Sequence, residues 1–203
     1  MAYFPILIQF DDAKVLIAGG GAIALHKAEL LSKQGADVTV IAPKICDEIR
    51  ALPVKLEERC VRKGDAKGKV LVVDASGSKE AEEILSRECK EEGIPYNCAG
   101  HGDACTAIFP AVFKKGRTTV AVSSLGASPP ASVWLRDLLA KDVPENMDEI
   151  LERMAEIRGL AKEKIEGQAK RKEFFHEALR KMIDSGEILS NEDLKEILSR
   201  YTG

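Results

Sequence analysis

The fold of this chain is predicted by one stretch, KVLIAGGGAIALHKAELL, which spans residues 14–31. Its apolar run Val15–Ala18 is typical of a buried strand, three glycines follow, and helix-forming residues come next. This order is typical of a βαβ unit that binds a dinucleotide. Such units usually end their second strand in an acidic residue, which binds the ribose hydroxyls. Here the second strand, ADVTVIAPK, ends instead in Ala42, Pro43 and Lys44.

Composition predicts a soluble, cytoplasmic protein. The 203 residues are 45% hydrophobic and 31% charged, and the net charge of −3 gives no reason to expect nucleic acid as a partner. No apolar run is long enough to cross a membrane, and the first residues lack the pattern of a secretory signal. Five cysteines form no CxxC pair and are predicted to be free thiols, and the three histidines give no spacing for a metal site.

The first part of the chain alternates strand and helix patterns, which predicts an α/β fold with a Rossmann-like parallel sheet. Helices are predicted at Ile23–Gln34 and Lys79–Glu92. The strand candidates are Val15–Ala18, Val38–Ile41, Val70–Asp74, Pro95–Cys98 and Thr118–Ser123.

Beyond residue 128 the strand pattern disappears, and a small, all-helical C-terminal domain is predicted. Ser190 is a candidate N-cap, with Asp193 three residues later. We therefore divide the chain into a nucleotide-binding domain (1–112), a joining segment (113–146) and a helical domain (147–203). An apolar stripe at helical spacing opens the last of these: Met147, Ile150, Leu151, Met154 and Ile157.

The glycine turn is the candidate cofactor site. Gly19 would permit the tight turn, Gly21 would let a pyrophosphate approach the backbone, and Ala24 would allow close packing of helix and strand. Amides at the helix start would face the phosphates. Backbone groups at Ala42–Lys44 could bind the ribose without an acid, and Lys44 could instead suit a 2′-phosphate, so NAD and NADP both stay open. A glycine turn without a ligand is the alternative.

A second informative stretch starts at Tyr96 and runs YNCAGHGDACTAIFPAVFKKGRTTVAVSSLGASPPAS. Its first loop contains two titratable residues, His101 and Asp103. Ser128 is a candidate N-cap with Pro129 at the first helical position. A basic cluster lies between these features: Lys114, Lys115 and Arg117.

In this order, FPILIQF, GGGAIALHKAELL, GADVTVIAPK, FPAVFKKG and VAVSSLGASPPAS resemble the precorrin-2 dehydrogenase and sirohydrochlorin ferrochelatase family of sirohaem synthesis. The resemblance covers about residues 3–142. It implies that precorrin-2, a reduced tetrapyrrole, is oxidised to sirohydrochlorin with NAD as the cofactor. In many members the same protein then inserts ferrous iron, so iron is a possible second substrate.

The resemblance also implies site residues and a homodimer. It assigns nucleotide contact to Gly21, Ala22 and Ile23, and to Pro43 and Lys44. It places the dimer contact at about residues 113–141, within the joining segment. Substrate carboxylates need cations, and charge together with the family's SP motif indicates these substrate-binding candidates: Lys114, Lys115, Arg117, Arg136 and Ser128.

One position departs from the family. Many members have an aspartate three residues after the asparagine that matches Asn97, and here that position is Gly100. The nearest replacements for the proton-abstracting residue are His101 and Asp103, and the alternative is that both are solvated loop residues. This departure weakens the inference of a chelatase more than that of a dehydrogenase. A regulatory NAD-sensing module and another NAD(P)-dependent reductase stay open as alternatives.

Overall fold

The computed structural model describes residues 3–100 and 102–202. They form two compact units, the first ending at Phe109 and the second beginning at Pro110. The division of the chain at residues 112 and 146 stays a prediction. Within the described residues, no helix has both the length and the apolar character needed to cross a bilayer.

The first unit is a five-stranded parallel sheet with helices between its strands, as the sequence predicts. The strand order is β3-β2-β1-β4-β5. Its helices are α1 (Ala22–Ser32), α2 (Asp47–Arg50) and α3 (Lys79–Glu92). Its strands are β1 (Lys14–Ala18), β2 (Asp37–Ile41), β3 (Lys55–Glu57), β4 (Leu71–Asp74) and β5 (Tyr96–Cys98).

Packing on both faces of the sheet explains the continuous apolar strands. Val15 and Ile17 belong to one buried cluster, whereas Leu16 and Ala18 belong to another on the opposite face. Alternate residues of a strand point to opposite faces, so a strand covered on both sides is apolar throughout. The carboxyl ends of the central strands β1 and β4 lie side by side, with Ala18 paired to Asp74.

Two strand assignments differ from the sequence prediction. Thr118–Ser123 was expected in the parallel sheet, but Thr118–Val122 (β7) pairs antiparallel with Ala111–Lys115 (β6) in the second unit. Only Gly116 and Arg117 separate the two strands, and a loop this short permits a hairpin but not a parallel crossover. The fifth strand of the main sheet is instead β3. Its sequence, KLE, has only three residues, two of them charged, and so gives no strand pattern.

The second unit continues from the β6–β7 hairpin into four helices, α4 (Pro129–Lys141), α5 (Met147–Lys164), α6 (Gln168–Ser185) and α7 (Asn191–Ser199). Helices α5–α7 enclose a buried cluster that includes Ile150, Ile157 and Phe174. Both predicted N-caps are confirmed. Ser128 Oγ accepts a hydrogen bond from the Ala131 amide, and Ser190 and Asp193 form a reciprocal capping box at the start of α7.

Candidate nucleotide-binding site

The glycine turn lies where the order of the strands reverses. It follows β1, and from β1 the chain builds outward to β2 and β3 on one side and to β4 and β5 on the other. Open α/β sheets bind ligands at such a switch point, outside the carboxyl ends of the strands. The site predicted from the sequence therefore lies where this fold places its ligands.

Gly19 and Gly20 are required by the loops beside them. Gly19 has a φ of +121°, and a Cβ there would overlap the carbonyl group of Ala75, in the loop after β4. A Cβ on Gly20 would overlap the carbonyl oxygen of Lys44 and lie 2.8 Å from the Ile45 Cα, in the loop after β2. These two glycines would be needed even without a ligand.

Gly21 has no such structural reason to be glycine. Its φ of −102° is open to any residue, no atom lies within 4 Å of a Cβ built on it, and it is exposed. Gly21 is the N-cap of α1. The first amides of that helix, those of Ala22 and Ile23, have no intrahelical acceptors. The space beside Gly21 is therefore open, and helix-start amides of this kind are suited to bind a phosphate group.

The loop after β2 has a buried start and an exposed end. Ala42 is buried and its amide donates to the carbonyl of Glu57 (3.2 Å), whereas Pro43 and Lys44 are exposed. The Cys46 amide donates to the Gly20 carbonyl (3.0 Å), which holds this loop against the glycine turn. The predicted cofactor contacts of Pro43 and Lys44 are thus next to the predicted contacts of α1, and their role stays a proposal.

A buried carboxylate at the end of β4 was missed by the sequence analysis. Asp74 is 2% exposed, and its Oδ1 accepts hydrogen bonds from the Ser76 amide (3.0 Å) and the Ser76 hydroxyl (2.6 Å). Its Oδ2 accepts from the Tyr96 hydroxyl (3.0 Å). The signal was present in the sequence, because an apolar strand that ends in an acid and is followed by ASGS places polar groups at a carboxyl edge.

Burial keeps two side chains near Asp74, those of Tyr96 and Cys98, protonated. The pKa of Tyr96 is raised first by burial and then by the nearby Asp74 carboxylate, so the phenol stays protonated and can donate. Burial likewise raises the pKa of the Cys98 thiol. These groups serve as hydrogen-bonding partners rather than as proton acceptors near neutral pH.

The loop after β5 contains the predicted proton acceptors. His101 lies outside the described residues. Asp103 lies in a 3-10 helix, Gly102–Ala104, and is exposed. Gly100 has a φ of +103°, a conformation that side chains other than glycine rarely adopt, so the backbone here would have to change to accept the family's aspartate.

Both ends of this loop are held by hydrogen bonds. The amides of Thr106 and Ala107 donate to the Tyr96 carbonyl, at 2.8 and 3.0 Å, and the Asn97 side-chain amide donates to the Ala107 carbonyl at 3.0 Å. The Cys98 amide donates to the Cys105 sulfur at 3.1 Å. Asp103 therefore lies on a loop whose two ends are joined by hydrogen bonds.

The substrate-binding candidates all lie in the second unit, and three of them form ion pairs with neighbouring acids. Lys115 Nζ is 2.5 Å from Glu145 Oε2, Arg117 is 3.8 Å from Glu152, and Arg136 is 2.6 Å from Asp137. Lys114 is exposed on β6, and Ser128 caps α4. Lys114 and Lys115 are consecutive residues of β6, so their side chains point to opposite faces of the hairpin, and Arg117 lies in its turn. Ser128 and Arg136 lie on or beside α4.

Comparison with protein families decides the nature of the first unit. A family model described as "Putative NAD(P)-binding" matches residues 6–111, which is more than half of the chain. The chain belongs to this NAD(P)-binding family. A nicotinamide cofactor is thereby supported for this unit.

Curated relatives of the NAD(P)-binding chain are sirohaem synthases. The siroheme synthase of Nitrosomonas eutropha is 30% identical over 184 residues, covering 88% of this chain and 39% of the relative. That of Psychrobacter arcticus is 29% identical over 197 residues, covering 95% of this chain and 36% of the relative. The chain thus spans less than half the length of these relatives.

A solved structure extends the likeness to both units. SirC, described as a precorrin-2 dehydrogenase, has the same fold with a TM-score of 0.70, 23% identity and 98% coverage of each chain. Together the matches confirm the predicted resemblance to proteins of sirohaem synthesis, and the fold shared with SirC includes the C-terminal helices.

Proposed function

We propose that this protein oxidises precorrin-2 to sirohydrochlorin with NAD as the hydride acceptor. The observation that most supports the proposal is the open, unhindered Gly21 at the start of α1, at the switch point of an NAD(P)-binding sheet. The choice of substrate follows from its relatives, which include sirohaem synthases and a precorrin-2 dehydrogenase.

The chain's own residues would bind and orient the cofactor. Amides of Gly21, Ala22 and Ile23 would hold the pyrophosphate, and the backbone at Pro43 and Lys44 would hold the adenosine ribose. Bound NAD accepts a hydride from the reduced macrocycle. The oxidation also releases a proton, and we assign its acceptance to the loop of His101 and Asp103, as a positioned base.

Substrate carboxylates would be bound by the cations of the second unit. Each ion pair of Lys115, Arg117 and Arg136 includes an exposed acid, and ion pairs that water reaches contribute little to stability. An anionic tetrapyrrole can therefore replace the acidic partners at small cost. Lys114 and Ser128 complete this proposed set.

The enzymatic proposal is tested by supplying precorrin-2 with NAD or NADP and following sirohydrochlorin by visible absorption. We expect turnover, with a higher kcat/KM for NAD, and a higher value for NADP would reverse the choice of cofactor. NAD binding without any oxidation would contradict the dehydrogenase and favour a regulatory NAD-sensing module. Adding ferrous iron to the same assay tests chelation separately, since the tetrapyrrole itself supplies four nitrogen ligands.

We also propose that the protein is a homodimer that associates through the joining segment. Among the residues of α4, all of which the structure describes, only Ser132 is buried. Clusters of exposed large apolar side chains are typical of protein–protein contacts. The large exposed side chains of α4 are Val133, Trp134, Leu135, Leu138 and Leu139.

If the protein dimerises through α4, Leu138→Arg should disrupt the dimer. A buried, unpaired cation at an interface is strongly unfavourable, so we expect a monomer by light scattering after gel filtration. Ile183→Arg on α6 is the control, because Ile183 is 40% exposed and Leu138 is 44% exposed. That variant should keep the wild-type mass. A wild-type protein that is monomeric at about 50 μM, above the Kd of stable dimers, would contradict the proposal.

A further inference from the structure

Asp74 connects three strands at the edge of the sheet where the proposed cofactor binds. It ends β4, its Oδ2 accepts from Tyr96 at the start of β5, and the next residue, Ala75, donates its amide to the Ala18 carbonyl of β1 (2.7 Å). A buried carboxylate is costly unless its oxygens are hydrogen-bonded. Here three donors satisfy it, and two of them belong to Ser76.

The hydrogen bonds continue from Asp74 along the loop after β4. The Ser76 hydroxyl donates to Asp74 and accepts from the Ser78 amide (3.1 Å). Ser78 in turn caps α3, its hydroxyl accepting from the Ala81 amide (3.3 Å). A continuous series of hydrogen bonds thus runs from the carboxylate through the loop between β4 and α3.

This loop forms one wall of the glycine turn. A Cβ on Gly19 would overlap the Ala75 carbonyl and lie 3.0 Å from the Ser76 amide nitrogen, so the turn and the loop are in close contact. In Rossmann folds the end of β2 binds the adenosine ribose. Because β4 lies on the opposite side of β1 from β2, its loop would face the other half of a dinucleotide bound in this way.

We propose that Asp74 is a positioning residue for the nicotinamide half of the cofactor. By holding Ser76 and the backbone beside Gly19, it places the loop after β4 against the nicotinamide ribose. The inference rests on the proposed nucleotide site and adds to it a residue that does not touch the ligand.

The test compares two ligands by calorimetry on the full chain. Asp74→Ala should weaken NAD binding by at least about tenfold, because small misplacements of a binding wall are costly. It should leave the affinity for ADP within about twofold, since ADP lacks the nicotinamide half and binds on the β2 side. A general distortion of the fold would lower both affinities alike.

Two variants separate positioning from stability. In Asp74→Asn the amide oxygen can still accept both Ser76 bonds while the amide group donates to the Tyr96 oxygen, so NAD affinity should recover to within about threefold of wild type. Tyr96→Phe removes one donor to the same carboxylate but keeps both Ser76 bonds. It should lower the melting temperature, as loss of a buried hydrogen bond does, without changing NAD affinity.

Unchanged NAD affinity in folded Asp74→Ala, or equal losses for NAD and ADP, would overturn the assignment. If Asp74→Ala does not fold, Ser76→Ala decides, because it removes the hydroxyl bond while leaving the carboxylate in place. That variant must bind NAD more weakly and ADP normally for the assignment to stand. A wild-type chain that binds ADP but neither NAD nor NADP would instead contradict the proposed function itself.

Discussion

Gly21→Asp is expected to abolish NAD binding while the chain stays folded. The φ of −102° and the empty space around a Cβ accept a side chain, and aspartate at an N-cap stabilises a helix by a few tenths of a kcal/mol relative to glycine. Its carboxylate, however, would occupy the place of the pyrophosphate and repel it at the same amides. We expect at least about a hundredfold loss of affinity by calorimetry, with an unchanged or higher melting temperature.

Gly19→Ala is the matched comparison for this experiment. Alanine at Gly19 must adopt a φ of +121° and overlap the Ala75 carbonyl, so this variant should lose stability. The two variants thus separate the structural role from the binding role. Gly19→Ala should mainly lower the melting temperature, whereas Gly21→Asp should mainly lower the affinity for NAD. Undiminished NAD affinity in folded Gly21→Asp would remove the cofactor from this turn.

Asp103→Asn is expected to lower the rate of precorrin-2 oxidation by at least about a hundredfold with NAD binding intact. Asparagine keeps the size and much of the hydrogen bonding of aspartate but cannot take a proton. Positioned acid–base groups contribute about 10²–10⁴-fold to the rate. The measurement is sirohydrochlorin formation under saturating NAD, together with the Kd for NAD.

His101→Ala accompanies this experiment because a histidine side chain can also act as a general base near neutral pH. A loss in His101→Ala alone would move the role to that residue. If neither change slows sirohydrochlorin formation, the loop contains no catalytic base. Cofactor and binding geometry would then have to account for the oxidation.

Features that depend on neighbouring residues were predictable from the sequence. The apolar run of β1, the glycine turn and the start of α1 lie within eleven residues from Lys14 to Ala24, and their order alone indicates a nucleotide fold. The N-caps at Ser128 and Ser190 needed only a hydroxyl and the amide three residues later. The continuous apolar pattern of β1 and β4 also predicted strands covered on both faces.

Only the tertiary structure decided which distant groups meet. Thr118–Val122 joins a hairpin rather than the parallel sheet because its partner strand is Ala111–Lys115, which the sequence pattern did not identify as a strand. Gly19, Gly20 and Gly21 look alike in the sequence, yet contacts with the loops after β4 and β2 constrain the first two and leave the third open to a ligand. Asp74 ends a strand, as the sequence pattern predicts, but only the structure shows that Tyr96, twenty-two positions away, donates a hydrogen bond to it. The sequence by itself determined the class of fold and the location of the turn, because both follow from local patterns; the assembled sheet determined which residues form the site, because their contacts join separate strands.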